Sequence, residues 1–155
     1  MGFKEKYQDY KQKREARAFF NQHNYEKVKV GDWFVAFFVG VAITTVAGII
    51  LNVITNFLGF NLSLFAIIIG ILQARGIQRV LNKSGQQLAI VSVFSFLIGI
   101  ILGNAIYALM YIPFWGLPVI IELFKFCFRY FFTGSLQTLI IYLFGAIASY
   151  LSLKN

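Results

Sequence analysis

The sequence predicts an all-α integral membrane protein: a bundle of four transmembrane helices, with an N-terminal cytoplasmic amphipathic helix and a short interfacial helix before the last span. Two observations indicate this class. The chain contains three long stretches without a charged residue, at 33–74, 84–121 and 130–153, whereas about 20 apolar residues suffice to cross roughly 30 Å of hydrocarbon. Eight of the fourteen Lys and Arg precede Trp33, and such a cluster beside a first span holds a terminus in the cytoplasm.

Residues 1–31 form a basic, aromatic segment ahead of the membrane domain at 32–155. Three aromatic residues in it are spaced four and three apart, which places them on one face of a surface helix over about 3–20. The cations of this helix are expected to contact anionic headgroups or a partner protein. The residues predicted to make headgroup or partner contacts, here and in the second span, are Phe3, Tyr7, Tyr10, Lys11, Lys13, Arg14, Arg17, Arg75 and Arg79.

The first charge-free stretch is too long for one crossing and is interrupted by Leu-Gly-Phe-Asn at 58–61. We therefore predict two spans, at about 33–58 and 62–81, joined by a very short outer loop. The uncharged part of the second span covers roughly 20 Å, which is less than the bilayer. Arg75 and Arg79 lie on one helix face and are expected to complete this span by snorkelling to cytoplasmic headgroups.

The remainder of the chain predicts two further spans and one helix that does not cross. An inner turn at 82–85 leads to a third span at about 87–112, which Pro113 ends. Over 119–132 charged residues recur at spacings of three and four, opposite phenylalanines, which favours a helix lying in the interface. The last span covers about 135–153. Asp32 is expected to cap the first span, and the residues predicted to lie at the interface are Trp33, Trp115, Glu122, Lys125 and Arg129.

Four crossings return both termini to one side of the membrane. With the termini in the cytoplasm, twelve Lys and Arg lie inside and two outside, which is the expected positive-inside bias. Three crossings, with the final apolar run lying flat, would place Lys154 outside. The charge bias favours a bacterial cytoplasmic membrane, with an organellar inner membrane as the alternative. Because membrane electrostatics accounts for the net charge, no nucleic-acid partner is expected.

A row of small residues follows one face of the first span at intervals of four. Such rows allow two helix backbones to approach closely at a right-handed crossing. The third and fourth spans carry matching small residues. We interpret these faces as helix-packing surfaces, either within the bundle or between subunits. The residues concerned are Ala36, Gly40, Thr44, Gly48, Ser95, Gly99, Gly103, Gly145 and Ser149.

Asn52, Asn56 and Asn104 are the most polar residues that are placed well inside the predicted spans. Unpaired amides in hydrocarbon are costly, so these side chains should find partners. All three lie toward the outer ends of their helices, which predicts a shared polar cluster or a narrow water pocket. Interhelical hydrogen bonding is the simpler interpretation, and a permeation or ligand role is the alternative.

The residue inventory argues against an enzyme. His23, the single histidine, lies in the N-terminal segment, and Glu122 is the one carboxylate after Asp32. No span offers a nucleophile beside a base, a metal-ligand set or a proton-exchanging carboxylate. Cys127 is the only cysteine, so no internal disulfide can form. No cofactor is expected, although the composition is compatible with a bound structural lipid.

These observations predict a non-catalytic subunit or accessory protein of a larger membrane assembly. Its partners would be the lipid bilayer and other membrane subunits, or further copies of itself, contacted laterally through the small-residue faces. The alternative is a homo-oligomeric pore or a small transporter, in which Asn52, Asn56 and Asn104 would face a lumen.

Overall fold

The computed structural model describes residues 2–23, 28–59, 63–113 and 116–154, with the side chains of 17–23 and 63 excepted. Within these residues the chain forms helices and no strands, which confirms the all-helical prediction. A single 3₁₀ turn at Ser63–Phe65 precedes the third helix. The described α-helices are α1 (Phe3–His23), α2 (Val30–Leu58), α3 (Ala66–Leu81), α4 (Gln86–Leu109), α5 (Leu117–Thr133) and α6 (Leu136–Lys154).

Three of the described helices are long and apolar enough to cross a membrane: α2, α4 and α6, with mean hydropathies of 2.5, 2.3 and 1.7. The chain therefore has the helices of a membrane protein, as predicted. Helix α3 falls outside this group, because its 16 residues rise only about 24 Å. The predicted spanning helix at 62–81 is thus shorter than expected and begins at Ala66.

Helix α2 begins three residues before the predicted start of the first span. The N-cap is Lys29, whose backbone N–H donates to the Asp32 carboxylate over 2.9 Å. Asp32 is therefore not the N-cap residue itself, but its side chain caps the helix from the third helical position, as one half of a capping box. At the other end, Gly59 takes a left-handed φ of 72° and its N–H donates to the Thr55 carbonyl, which a glycine does without steric cost.

The contacts between helices fix their directions. Helices α2 and α4 run parallel, because Gly40 lies against Ser95 and Gly48 lies against Gly103, eight residues later on both helices. Helix α3 runs antiparallel to α4, to which a short turn at 82–85 joins it. Helix α6 is antiparallel to α4 and packs extensively on both α3 and α4. The chain therefore alternates in direction through α2, α3, α4 and α6.

One end of this arrangement is held by polar links, and we call it the tethered end. Lys83, in the turn between α3 and α4, pairs with Asp32 at the start of α2 over 2.9 Å. The Gly85 N–H donates to the Leu153 carbonyl near the end of α6 over 3.1 Å. The starts of α2 and α4 and the ends of α3 and α6 therefore meet here. We call the opposite end, where α2 and α4 finish, the far end.

Helix α3 occupies only the half of the structure nearer the tethered end. A Cβ added to Gly145 would lie 2.7 Å from the Ala66 carbonyl oxygen and 2.6 Å from the Phe96 ring. Ala66 is the first residue of α3, whereas Gly145 and Phe96 lie near the middle of α6 and α4. The far half is instead completed by α5, which packs mainly on α4 and contributes the buried Phe131.

Candidate functional site

The predicted small-residue row of α2 forms the buried face of that helix. Its buried members are Ala36, Gly40, Thr44 and Gly48, each four residues apart. They lie against α4, where Ser95, Gly99 and Gly103 are also buried. The row is therefore a contact inside one chain, and these faces are covered rather than presented to a partner.

Close backbone approach explains why this contact uses small residues. A Cβ added to Gly99 would lie 2.6 Å from the Thr44 Cβ, and one added to Gly103 would lie 3.0 Å from the Thr45 carbonyl oxygen. Both distances are too short for an unstrained contact. The Thr45 hydroxyl crosses the seam and donates to the Gly99 carbonyl over 3.3 Å, as hydroxyls do between membrane helices.

A second seam joins α3 to α6. A Cβ added to Gly70 would collide with the Gly145 carbonyl oxygen and approach the Ser149 backbone nitrogen to 3.3 Å. Gly145 and Ser149 were predicted to pack, and they are buried here. Gly70 was not predicted. Its signal in the sequence is the interval of four from Ala66, which repeats the pattern of α2.

Between the two seams lies a buried hydrogen-bonded group that sequence reasoning missed, centred on Gln73. Its Nε2 donates to the Ser95 hydroxyl over 2.6 Å and to the Ser92 carbonyl over 3.1 Å. Its Oε1 accepts from the Ser149 hydroxyl over 3.4 Å. All four side chains are fully buried. Gln73 therefore links α3, α4 and α6 at one point, and Gly40 of α2 closes the remaining side.

The three predicted intramembrane asparagines separate into two groups. Asn52 donates to the Asn104 side-chain oxygen over 2.7 Å and to the Gly48 carbonyl over 2.9 Å. Asn56 is exposed and instead donates to the Tyr107 hydroxyl over 2.9 Å, beside Tyr111. The expected single cluster is thus an Asn52–Asn104 pair, with Asn56 bound to tyrosines nearer the far end.

A pocket of about 400 Å³ opens beside the Asn52–Asn104 pair, between α2, α4, α5 and α6. Helix α5 supplies an aromatic wall that includes Phe126 and Tyr130, which stack with ring centroids 6.0 Å apart. Its polar lining residues are Asn52, Thr55, Asn104, Ser135, Thr138 and Tyr142. Among the described residues that line it, none is Lys, Arg, Asp or Glu.

Cys127 also lines this pocket. Burial raises the pKa of its thiol, so the neutral form is favoured and the residue is a poor nucleophile. Elsewhere in the described part of the chain, no group of three His, Cys, Asp or Glu side chains could hold a metal ion. The pocket can therefore offer hydrogen bonds and aromatic faces to a ligand, without charge.

The remaining predicted contact residues lie on the surface. Glu122 and Lys125 form an exposed ion pair of 3.1 Å on α5, and Trp33 is 42% exposed at the start of α2. The other exposed cations among these predicted residues are Lys11, Lys13, Arg14, Arg75, Arg79 and Arg129. Trp115 and the Arg17 side chain lie outside the described residues.

Among the described residues, the structure offers two buried helix contacts, the buried hydrogen-bonded group centred on Gln73 and the uncharged pocket beside Asn52 and Asn104. Comparison of the chain with protein-family models, with curated proteins and with solved structures finds no match.

Proposed function

We propose that this protein is a non-catalytic accessory subunit of a larger membrane assembly, which docks on its partner through α1. The observation that carries the proposal is that every residue from 2 to 16 is exposed, over a helix with three aromatic residues on one side. The small-residue faces pack against other helices of the same chain. Lateral docking on a partner would therefore use other surfaces. The exposed N-terminal helix is the best candidate among the described residues.

Helix α1 has little to hold it folded by itself. Phe3, Tyr7 and Tyr10 are 96%, 71% and 68% exposed. The exposed pair Lys13–Asp9, at 2.9 Å, is worth only about 0.3–0.5 kcal/mol. In proteins most helical stability comes from packing of an apolar face rather than from propensity, and burial of one aromatic ring contributes about 1.5–3 kcal/mol. A surface that covers the three rings would therefore stabilise the helix.

The aromatic and the cationic faces of α1 make opposite predictions. If a protein partner binds α1, alanine at Phe3, Tyr7 and Tyr10 should release the partner even at high salt, because aromatic anchors dominate most interfaces. Co-purification from mild detergent, with partner stoichiometry measured by mass spectrometry, checks this. The matched variant replaces Lys11, Lys13, Arg14 and Arg17 with Gln, and it should weaken binding less.

The reverse order would contradict docking on a protein. If the glutamine variant and added salt release the helix while the alanine variant does not, anionic lipid alone holds it. Retention of every partner after deletion of residues 1–20 would contradict the accessory role of this helix altogether.

We further propose that the chain crosses the membrane four times, with α3 and the residues before it as the returning segment. Support comes from the parallel course of α2 and α4, which requires a return between them. The tethered end carries Lys29, Arg79, Lys83 and Lys154, and positive charge favours the cytoplasmic side. Helix α5, whose charges follow one stripe, would lie in the outer interface as an amphipathic helix.

Cysteine labelling checks this topology in a Cys127→Ser background. Single cysteines at positions 12 and 83 should react only with reagent applied from the cytoplasmic side, and a cysteine at 116 only from outside. The expectation follows from the directions of α2, α4 and α6 together with the charge bias. Labelling of position 83 from the outside would contradict the proposed topology and every assignment of a segment to one side of the membrane.

The alternative function is a homo-oligomeric pore or a small transporter. The uncharged pocket beside Asn52 and Asn104 favours it, because a polar recess inside the membrane is what a permeant needs. Against it, the polar groups at Gln73 and at the Asn52–Asn104 pair are bonded within one chain, so a lumen would have to form between chains. A defined homo-oligomer that conducts ions in liposomes would replace the accessory reading. Co-purification with other membrane proteins at a fixed stoichiometry would support the accessory role.

A further inference from the structure

We propose that the pocket between α2, α4, α5 and α6 binds the uncharged, hydroxyl-bearing headgroup of a neutral membrane lipid, with a single-sugar diacylglycerol as the best fit. The proposal goes beyond the accessory role and does not depend on what covers α1. It rests on the position of the pocket, on its unpaired polar groups and on its lack of charge.

The pocket lies near the boundary between acyl chains and headgroups. Helix α2 has 29 residues and ends at Leu58, six residues after Asn52 (58 − 52), so Asn52 lies about 9 Å from the helix end. The whole helix rises about 43 Å, against about 30 Å of hydrocarbon. If the overhang is shared between the two ends, Asn52 lies just inside the hydrocarbon edge. The glycerol and the headgroup of a lipid begin just beyond this depth.

Several polar groups face the pocket without a hydrogen-bond partner among the described residues. The hydroxyls of Thr55, Thr138 and Tyr142 are half-buried in its lining, and within the described part of the chain none of the three forms a hydrogen bond. The Asn52–Asn104 bond uses one polar atom of Asn104, and this residue too lines the pocket. An unsatisfied group in a poorly hydrated place costs about 1–3 kcal/mol, so a ligand that offers several hydroxyls would be stabilised.

The lining also excludes the other common headgroups. A phosphate or an ammonium group would enter a site with no countercharge among its described residues, and an unpaired charge at the edge of hydrocarbon is costly. The aromatic wall suits a sugar, because Phe131 and Tyr142 stack with centroids 5.6 Å apart and can pack on the apolar face of a sugar ring. A volume of about 400 Å³ is within the usual range for small-ligand pockets.

Cys127 allows the pocket to be monitored directly, because it is the only cysteine and lies in the lining. The full chain would be placed in phosphatidylcholine nanodiscs, and the rate of Cys127 alkylation by a membrane-permeant maleimide measured. We expect added glucosyl-diacylglycerol to slow alkylation about tenfold when nine-tenths of the pockets are filled. Phosphatidylglycerol with the same acyl chains, and methyl glucoside in solution, should leave the rate unchanged.

Substitutions that remove hydroxyls and preserve shape locate the effect. Thr138→Val combined with Tyr142→Phe should raise the lipid concentration needed for half-maximal protection about tenfold or more, since two hydrogen bonds to the lipid are lost. Thr55→Val tests the opposite wall on α2 if the double variant does not fold. Tyr150→Phe is the matched control, because Tyr150 lies on the same helix α6 but outside the pocket lining, and it should keep full protection.

Three results would overturn the proposal. Equal protection by phosphatidylglycerol would show that charge is accepted. Equal protection by methyl glucoside would show that the ligand is a water-soluble sugar rather than a lipid. An unchanged rate with all three additives would show that water fills the pocket. Loss of partner in the α1 variants would change none of these measurements, so the two proposals fail separately.

Discussion

Alanine at Gly70 or at Gly145 is expected to lower the free energy of unfolding by about 3 kcal/mol, near the upper end of the usual cost of overpacking. The added Cβ at Gly70 would collide with the Gly145 carbonyl oxygen, and the one at Gly145 would meet both the Ala66 carbonyl and the Phe96 ring. A backbone carbonyl cannot rotate away as a side chain can. Helices α3 and α6 must therefore separate, and the thermal midpoint should fall by roughly 6–12 °C.

Gly48→Ala provides the matched control for this prediction. Its Cβ would lie 3.7 Å from the Gly103 Cα and 3.9 Å from the Ile100 side chain, which are ordinary contacts. This variant should unfold at or above the wild-type temperature, since alanine also favours the helix by up to about 1 kcal/mol over glycine. Thermal unfolding in detergent, followed by circular dichroism, measures all three variants. Equal midpoints for Gly48→Ala and Gly70→Ala would contradict the described α3–α6 contact.

Gln73→Ala is expected to be the other severe substitution, with a loss of about 3–4 kcal/mol from the combined cavity and lost hydrogen bonds. Gln73→Met, which keeps the volume, should cost only about 1–2 kcal/mol. The difference arises because methionine fills the space that alanine leaves empty. In both variants Ser95 can still donate to the Ser92 carbonyl over 3.0 Å, whereas Ser149 loses the partner it has among the described residues. Stability is measured as for the glycine variants.

Gln78→Ala is the control for Gln73, because Gln78 is exposed on the same helix α3. Its effect should stay within about 0.5 kcal/mol. A double-mutant cycle with Ser149→Ala then isolates the link to α6. If the bond exists, Gln73→Met and Ser149→Ala together should cost less than the sum of their separate effects. Strict additivity would show that the Gln73–Ser149 bond contributes nothing to stability.

The sequence was informative wherever one helix carries its own pattern. Apolar length predicted α2, α4 and α6, and the interval of four in α2 pointed to the residues that its contact with α4 buries. The length of α3 was overestimated, because the uncharged run in the sequence does not reveal where the helix begins.

Residues whose role depends on several helices escaped prediction. Gln73 carries no charge and therefore does not stand out from the apolar run, although its side chain forms three hydrogen bonds at the centre of the buried group. The pocket was only partly foreseen, through Asn52 and Asn104, because its other walls come from α5 and α6. No periodicity within one helix records where the next helix will lie, and such sites require the tertiary arrangement.

The dependence of α3 on α6 has a consequence for synthesis on the ribosome. The Gly85 N–H donates to the Leu153 carbonyl. Leu153 is synthesised 68 residues after Gly85 (153 − 85), which takes about 3–14 s at ordinary elongation rates. The contacts of Gly70 and Gln73 with α6 also cannot form before α6 is synthesised. During this interval α3, too short to cross the bilayer alone, lacks the neighbour on which it packs most extensively. We therefore expect α3 to reach its final packed position last, after helices that the ribosome synthesises later.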